Sequence, residues 1–224
     1  MAKTKVITIE GIDGSGKTVQ FKALKKLLNS RGFSVELRSY PIYESFFGAE
    51  IGRYLSGQNG VQAVDIDQKS MALWFALDRA ESFKGYEDGK TDYLLINRYV
   101  LSNAVYQSIR DCDLGKPDII DWVSELEYGH FGLPRPDLNL FFDVEPKCAS
   151  DNVDKKGFRE YVGKSKDVYE KSSGIQQRAR EKYLEYAERF DDIAVIKCTE
   201  NGSMLPSAEI TAEVERELVR RGLL

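Results

Sequence analysis

The stretch Gly11-Ile12-Asp13-Gly14-Ser15-Gly16-Lys17-Thr18 constrains this chain more than any other. It has the G-x-x-x-x-G-K-T spacing of a phosphate-binding loop. It follows the apolar run Val6 to Ile9 and precedes a helical pattern from Gln20 to Asn29, the strand-loop-helix setting that such a loop requires. Gly11, Gly14 and Gly16 let the chain turn sharply, so that successive backbone N–H groups, with that of Ser15 among them, point inward at an anion. The following helix adds the positive end of its dipole. Lys17 supplies a point charge for the outer phosphates, and Thr18 supplies a hydroxyl for a magnesium ion. The loop therefore predicts a nucleoside triphosphate with Mg2+, and leaves open what receives the phosphate.

The rest of the chain reads as an alternation of strands and helices. Continuous apolar runs at Val6–Ile9, Tyr93–Ile96, Leu138–Phe142 and Ile193–Ile196, with a shorter one at Val35–Leu37, predict five strands. Helical patterns lie between them. Phe21, Leu24, Leu27 and Leu28 form one stripe; Met71, Trp74, Phe75 and Asp78 share another, with an aspartate on an otherwise apolar face. Further helices are expected at 46–55, 67–83, 101–109, from Asp118 to about Leu126 or Tyr128, at 175–190 and at 208–219. The expected fold is a three-layer α/β domain over residues 1–224, with a five-stranded parallel sheet and helices on both faces. Residues 147–171 are charged and show little apolar periodicity, and they predict a lid-like insertion.

At 224 residues the chain is long enough for one substantial core. A formal charge of −4 gives no basic face for DNA or RNA, whereas a small phosphate ligand needs only a few local cations. No apolar run approaches membrane-spanning length. The three cysteines, Cys112, Cys148 and Cys198, match no zinc spacing and fit a reducing cytoplasmic setting. No N-K-x-D guanine-reading sequence accompanies the loop, which disfavours a GTPase. Asn97-Arg98-Tyr99 follows the third strand directly. In a parallel sheet, ligands lie outside the carboxyl ends of the strands, so Arg98 is expected at the mouth of the crevice that holds Lys17. There its guanidinium can fork onto phosphate oxygens.

Three blocks then resemble one family. They are the loop extended through Val19-Gln20, the run Phe75-Ala76-Leu77-Asp78-Arg79, and the run Arg98-Tyr99-Val100-Leu101-Ser102-Asn103-Ala104-Val105-Tyr106-Gln107. Weaker matches are Tyr40-Pro41-Ile42-Tyr43, Pro134-Arg135-Pro136-Asp137 and Asp143-Val144-Glu145-Pro146. Together they resemble thymidylate kinases, in family order over nearly the whole chain. The resemblance implies transfer of the γ-phosphoryl group of ATP to dTMP with Mg2+, in a homodimer. It implies that Asp13 approaches the acceptor's sugar hydroxyl, that Phe75 stacks on the thymine ring, and that Arg79 donates to a base carbonyl. It implies that Arg98 holds the acceptor phosphate. Asn103 and Gln107 lie four apart on one helix and can read the base edge.

Departures from the family pattern are visible. Asn97 stands where the family usually has an aspartate that organises magnesium and its waters, which would shift that burden to Asp13, Thr18 or Glu10. An early arginine usually lies two residues before the proline; here Ser39 holds that position and Arg38 lies one residue back. A one-residue shift in a strand turns a side chain to the opposite face, so Arg38 reaches the phosphate only through a local bulge, with Tyr43 or Arg79 as substitutes. Members with glycine at position 14 usually carry a catalytic arginine in the lid. Arg159 is the candidate here, among Lys155, Lys156, Lys164 and Lys166. Other readings are a kinase of another monophosphate such as dUMP or of a nucleoside, or a nucleotide-binding regulatory protein with weakened turnover.

Overall fold

The structure is a computed structural model, and it describes residues 3–110, 115–156 and 173–224. Five strands form one parallel sheet: β1 (Lys5–Glu10), β2 (Val35–Ser39), β3 (Tyr93–Asn97), β4 (Leu138–Asp143) and β5 (Ile193–Lys197), in the order β2-β3-β1-β4-β5. The three inner strands are the continuous apolar runs. Ile7, Ile9, Leu94, Leu95, Ile96, Leu140, Phe141 and Phe142 are fully buried because helices cover both faces of the sheet. Each such side chain contributes about 1.5–3 kcal/mol of apolar burial. The edge strands are less apolar, and they expose Leu37 on β2 and Val195 on β5.

The helices are α1 (Lys17–Ser30), α2 (Phe46–Ser56), α3 (Gln68–Ser82), α4 (Val100–Arg110), α5 (Ile120–Ser124), α6 (Pro146–Lys156), α7 (Ser173–Arg189) and α8 (Ser207–Arg220). On α1 the predicted stripe faces the sheet: Leu24 and Leu28 are buried, and Phe21 and Leu27 pack against the core. Asp67 caps α3 by accepting from the N–H groups of Lys69 and Ser70, both at 3.1 Å. No helix among the described residues is long and apolar enough to cross a membrane.

Four local features differ from the sequence expectation, each for a local reason. Asp118 precedes α5 rather than beginning it; its carboxylate accepts from Ile120 N–H at 2.9 Å, and the helix starts at Ile120. The helical stretch expected to end at Leu126 or Tyr128 reaches further, because α5 runs on into a π-helical turn, Glu125–His130. Thr199–Glu200 and Ser203–Met204 pair as a short hairpin, β6 and β7, around Asn201-Gly202. Both turn residues have positive φ (50° and 72°), so this Asn-Gly pair is the turn signal that marks the hairpin in the sequence. Within the expected lid, where short helical pieces apart from the core are expected, Pro146–Lys156 is a helix, and the departure is that Cys148 and Ala149 are buried. It shows no apolar stripe because small residues bring it against the backbone of the phosphate loop. The remainder of that insertion, with Arg159, Lys164 and Lys166, lies outside the described residues.

Asp78, the aspartate on the apolar stripe of α3, is buried for a structural purpose. It accepts from Ile42 N–H at 2.9 Å and from Ser45 Oγ at 2.7 Å. Ser45 Oγ in turn accepts from Gly48 N–H at 2.9 Å and caps α2. The carboxylate thereby pins the segment between β2 and α2, which forms one wall of the cleft described next. Burial raises its pKa, with the Ser45 and Ile42 hydrogen bonds opposing the rise.

Candidate active site

The carboxyl ends of β1, β2 and β3 open into one cleft with two adjoining parts. The larger, about 1330 Å³, is lined by residues 13–18 of the loop, by Ser39 to Glu44, and by Asn97 and Arg98. The smaller, about 570 Å³, is lined by Phe75, Arg79, Asn103, Tyr106 and Gln107 among others. Asp13, Tyr40, Pro41, Tyr43 and Arg98 line both. This is the position expected for a ligand crossing the sheet at its topological switch.

The loop is built as the sequence predicts. Lys17 is buried, and its Nζ donates to Gly11 O at 2.9 Å, Ile12 O at 2.6 Å and Ser15 Oγ at 3.4 Å. Gly16 takes φ 84° at the start of α1. Thr18 is exposed to the cleft. Gly14 has φ 80°, and a Cβ there would come within 2.0 Å of the Ala149 carbonyl oxygen on α6. Gly14 O also accepts from Asn152 Nδ2 at 3.0 Å. A side chain at position 14 is thus excluded by the close approach of α6. On the other flank, Met204 Cε of β7 lies 3.8 Å from the place a Gly16 Cβ would take.

Asp13 and Arg98 meet in the shared part of the cleft, with Arg98 NH2 2.5 Å from Asp13 Oδ1 and both side chains about four-fifths buried. The Asp13 carboxylate holds the guanidinium pKa well above its ordinary value, against the lowering effect of burial. Arg98 has φ 59°, uncommon for a residue with a side chain. Its conformation is held from both sides: its own N–H donates to Ile9 O at 3.0 Å, and the next N–H, of Tyr99, donates to Glu10 Oε1 at 2.8 Å. Glu10 is fully buried and also accepts from Ser102 Oγ and from Tyr183 OH. Burial raises its pKa. Glu10 therefore braces the turn into α4 and does not line the cleft.

From α7, Gln176 reaches the loop. Its Oε1 accepts from Asp13 N–H at 3.1 Å and from Tyr106 OH at 3.3 Å, and its Nε2 donates to Asp13 Oδ2 at 3.3 Å. Arg180 on the same helix makes a bidentate pair with Asp143 at the end of β4, at 2.5 and 3.0 Å. The helix that follows the insertion is thus tied to the cleft at Asp13 and to the end of β4 at Asp143.

The smaller pocket has a polar back wall. Arg79 is 2% exposed and pairs with the fully buried Glu127 through Nε–Oε2 at 2.5 Å and NH2–Oε1 at 2.6 Å. Burial acts to lower the Arg79 pKa, but the Glu127 carboxylate outweighs it and the net shift is upward. Asn103 Nδ2 donates to Ala72 O at 3.0 Å and to Glu127 Oε1 at 2.9 Å. With both amide hydrogens taken, Asn103 Oδ1 is buried with no protein partner. Gln107 is buried on the same helix face, where its Oε1 accepts from Arg110.

Arg38 lines neither part of the cleft. It lies over the Phe83 ring at 4.0 Å and donates to Glu36 and to Ser82 O. Ser39, one residue on, faces the cleft and accepts from Asn97 Nδ2 at 2.9 Å. Glu127 and Gln176 escaped sequence reasoning. Glu127 carries a faint signal, a carboxylate set between Leu126 and Tyr128 at the end of an expected helix.

The sequence profile of the family described as Thymidylate kinase matches residues 9–205. The chain belongs to the thymidylate kinase family. Among its relatives, the thymidylate kinase of Mycobacterium tuberculosis is 32% identical over 186 residues, covering 81% of this chain and 85% of its own. The probable thymidylate kinase of Thermococcus onnurineus is 31% identical over 221 residues, covering 96% and 99%. A solved structure of thymidylate kinase from Candida albicans superposes with a TM-score of 0.73 at 20% identity, covering all of this chain and 94% of the other, a likeness of fold. Membership in this family makes the chain a nucleotide-binding phosphotransferase acting on a pyrimidine nucleotide.

Proposed function

We propose that the protein transfers the γ-phosphoryl group of ATP to dTMP, giving ADP and dTDP. The observation that carries this reading is the buried, unpartnered Asn103 Oδ1 on a side chain that lines the same pocket as Arg79 and shares Glu127 with it. An acceptor next to a donor matches the N3–H and O4 edge of thymine. Cytosine presents the opposite order, an acceptor at N3 and an amine at C4. Phe75 lies in the same pocket and supplies a ring face for stacking.

A phosphate oxygen of dTMP forms the new bond to Pγ as the bond from Pγ to the β-bridging oxygen breaks. The acceptor is already ionised, so no dedicated base is needed. Lys17 and the loop amides hold the donor phosphates. Arg98 and Tyr43, which line the cleft, would hold the acceptor phosphate, and Asp13, on the same wall, would accept from the sugar hydroxyl. The oxygens present fit Mg2+ held largely by phosphate and water: Thr18 offers a hydroxyl, and Asn97 Oδ1 on the cleft wall is buried without a partner. Among the described residues no cluster of three acidic, His or Cys side chains competes as a metal site. When bound, Mg2+ would neutralise charge on the transferring phosphates. Arg159 remains the proposed lid arginine on the resemblance alone.

A coupled assay of ADP release with dTMP, dUMP, dCMP and no acceptor tests the reading. Turnover is expected with dTMP and more weakly with dUMP. The thymine methyl contributes only about 0.8 kcal/mol of burial, so discrimination against dUMP should be modest. ADP release that no monophosphate accelerates would sink the proposal. The homodimer is carried with it, supported by large apolar side chains left exposed on α2 and α3, Phe46 at 66% and Leu73 at 39%. Sedimentation velocity at micromolar concentration is expected to show twice the chain mass; a monomer would reject it.

A further inference from the structure

We propose that Glu127 is a positioning residue that sets which pyrimidine the pocket accepts. The inference rests on the reading of the pocket as a thymine site, and goes beyond it to a side chain that no base would touch.

Glu127 stands behind the pocket wall on the π-helical turn after α5, fully buried. A single carboxylate there serves both halves of the base-reading pair. Oε2 accepts from Arg79 Nε, and Oε1 accepts from both Arg79 NH2 and Asn103 Nδ2. Four lone-pair directions make a carboxylate an acceptor for all three donors at once. Two of the five guanidinium N–H groups are thereby fixed, which fixes the plane of the others on the pocket wall. The second Asn103 amide hydrogen goes to Ala72 O, so of the amide's polar atoms only Oδ1, buried and without a partner among the described residues, is left for a base at the pocket that Asn103 lines.

The selectivity follows from polarity. An amide that has spent both hydrogens on buried acceptors offers N3–H of thymine or uracil a partner, and meets N3 of cytosine lone pair to lone pair. A carboxamide at position 127 breaks this arrangement. It has one oxygen for three donors, and its own NH2 must face either Arg79 or Asn103. Arg79, being charged, takes the oxygen. Asn103 then faces a donor and gains by turning its own oxygen back, which presents NH2 to the pocket. The Ala72 carbonyl opposes that rotation, so the outcome is a loosened preference rather than a full reversal.

The test compares kcat/KM for dTMP, dUMP and dCMP in the wild-type protein and in Glu127→Gln, with thermal melting to confirm folding. The wild-type protein is expected to disfavour dCMP by about 10^4, the scale for leaving a buried polar pair unmatched. In Glu127→Gln, kcat/KM for dTMP and dUMP is expected to fall about 100-fold and that for dCMP by no more than about tenfold, so the dCMP to dTMP ratio rises at least about tenfold. An equal loss for all three substrates, or no loss, would overturn the proposal by reducing Glu127 to a structural part or to none. If Glu127→Gln gives no cooperative melting transition, Glu127→Asp carries the same readout. It keeps the charge but cannot span both partners, and its ratio is expected to move the same way by a smaller factor; an unchanged ratio overturns the proposal. A wild-type protein that phosphorylates dCMP as well as dTMP overturns the thymine reading itself, before either variant is needed.

Discussion

Replacing Lys17 by alanine is expected to lower kcat at least about 100-fold to 1,000-fold, the scale for losing a preorganised charge at the transferring group. The dissociation constant for dTMP should move by no more than about threefold, because in the proposed reading the base and sugar of dTMP would lie across the cleft from Lys17. The geometry explains why the ammonium is poised. Three of its hydrogen bonds, to Gly11 O, Ile12 O and Ser15 Oγ, are to neutral oxygens of its own loop. A phosphate oxygen adds an opposite charge on the acceptor side, so it can displace such partners at a gain. Burial keeps the ammonium out of bulk water and strengthens its field at the phosphates. Stopped-flow turnover and calorimetric titration of dTMP would separate the two effects. A folded Lys17→Ala protein with near-normal kcat would remove Lys17 from the mechanism.

Local chemistry was legible in the sequence, and long-range pairing was not. The phosphate loop could be read in full because glycine positions, lysine and the following helix obey local rules. The inner strands could be read because burial on two faces leaves a continuous apolar run. The direction of Arg38 follows from strand parity: in the register Ser39 pairs with Asn97 and Arg38 with Ile96, so adjacent residues face opposite sides. The Arg79–Glu127 pair spans 48 positions and closes only when a π-helical turn brings the carboxylate behind α3 and α4. No periodicity encodes such a meeting. The same holds for Gln176, one glutamine of a pair on a charged helix, which becomes informative only once α7 lies over Asp13. By family resemblance, glycine at position 14 points to a catalytic arginine in the lid. The structure adds a steric reason, the Ala149 carbonyl that fills the space a side chain would need.

Arg98→Ala is expected to act on the other half of the reaction. The KM for dTMP should rise at least about 100-fold and kcat/KM should fall by about 10^3, which corresponds to about 4 kcal/mol. The KM for ATP should hold within about threefold. Two losses add. The acceptor phosphate loses a guanidinium able to fork onto two of its oxygens. Asp13 loses its ion-pair partner at 2.5 Å, so its carboxylate then faces the incoming dianion without the Arg98 charge between them. The second loss predicts the behaviour of a double variant. In an Asp13→Asn background, Arg98→Ala should cost less than it does alone, because the repulsion is already gone. Lysine at 98 should recover only part of the loss, since it restores charge without the planar fork. Initial rates varied in both substrates give all of these numbers. A dTMP KM that stays normal in folded Arg98→Ala protein would move the acceptor phosphate away from the mouth of β3.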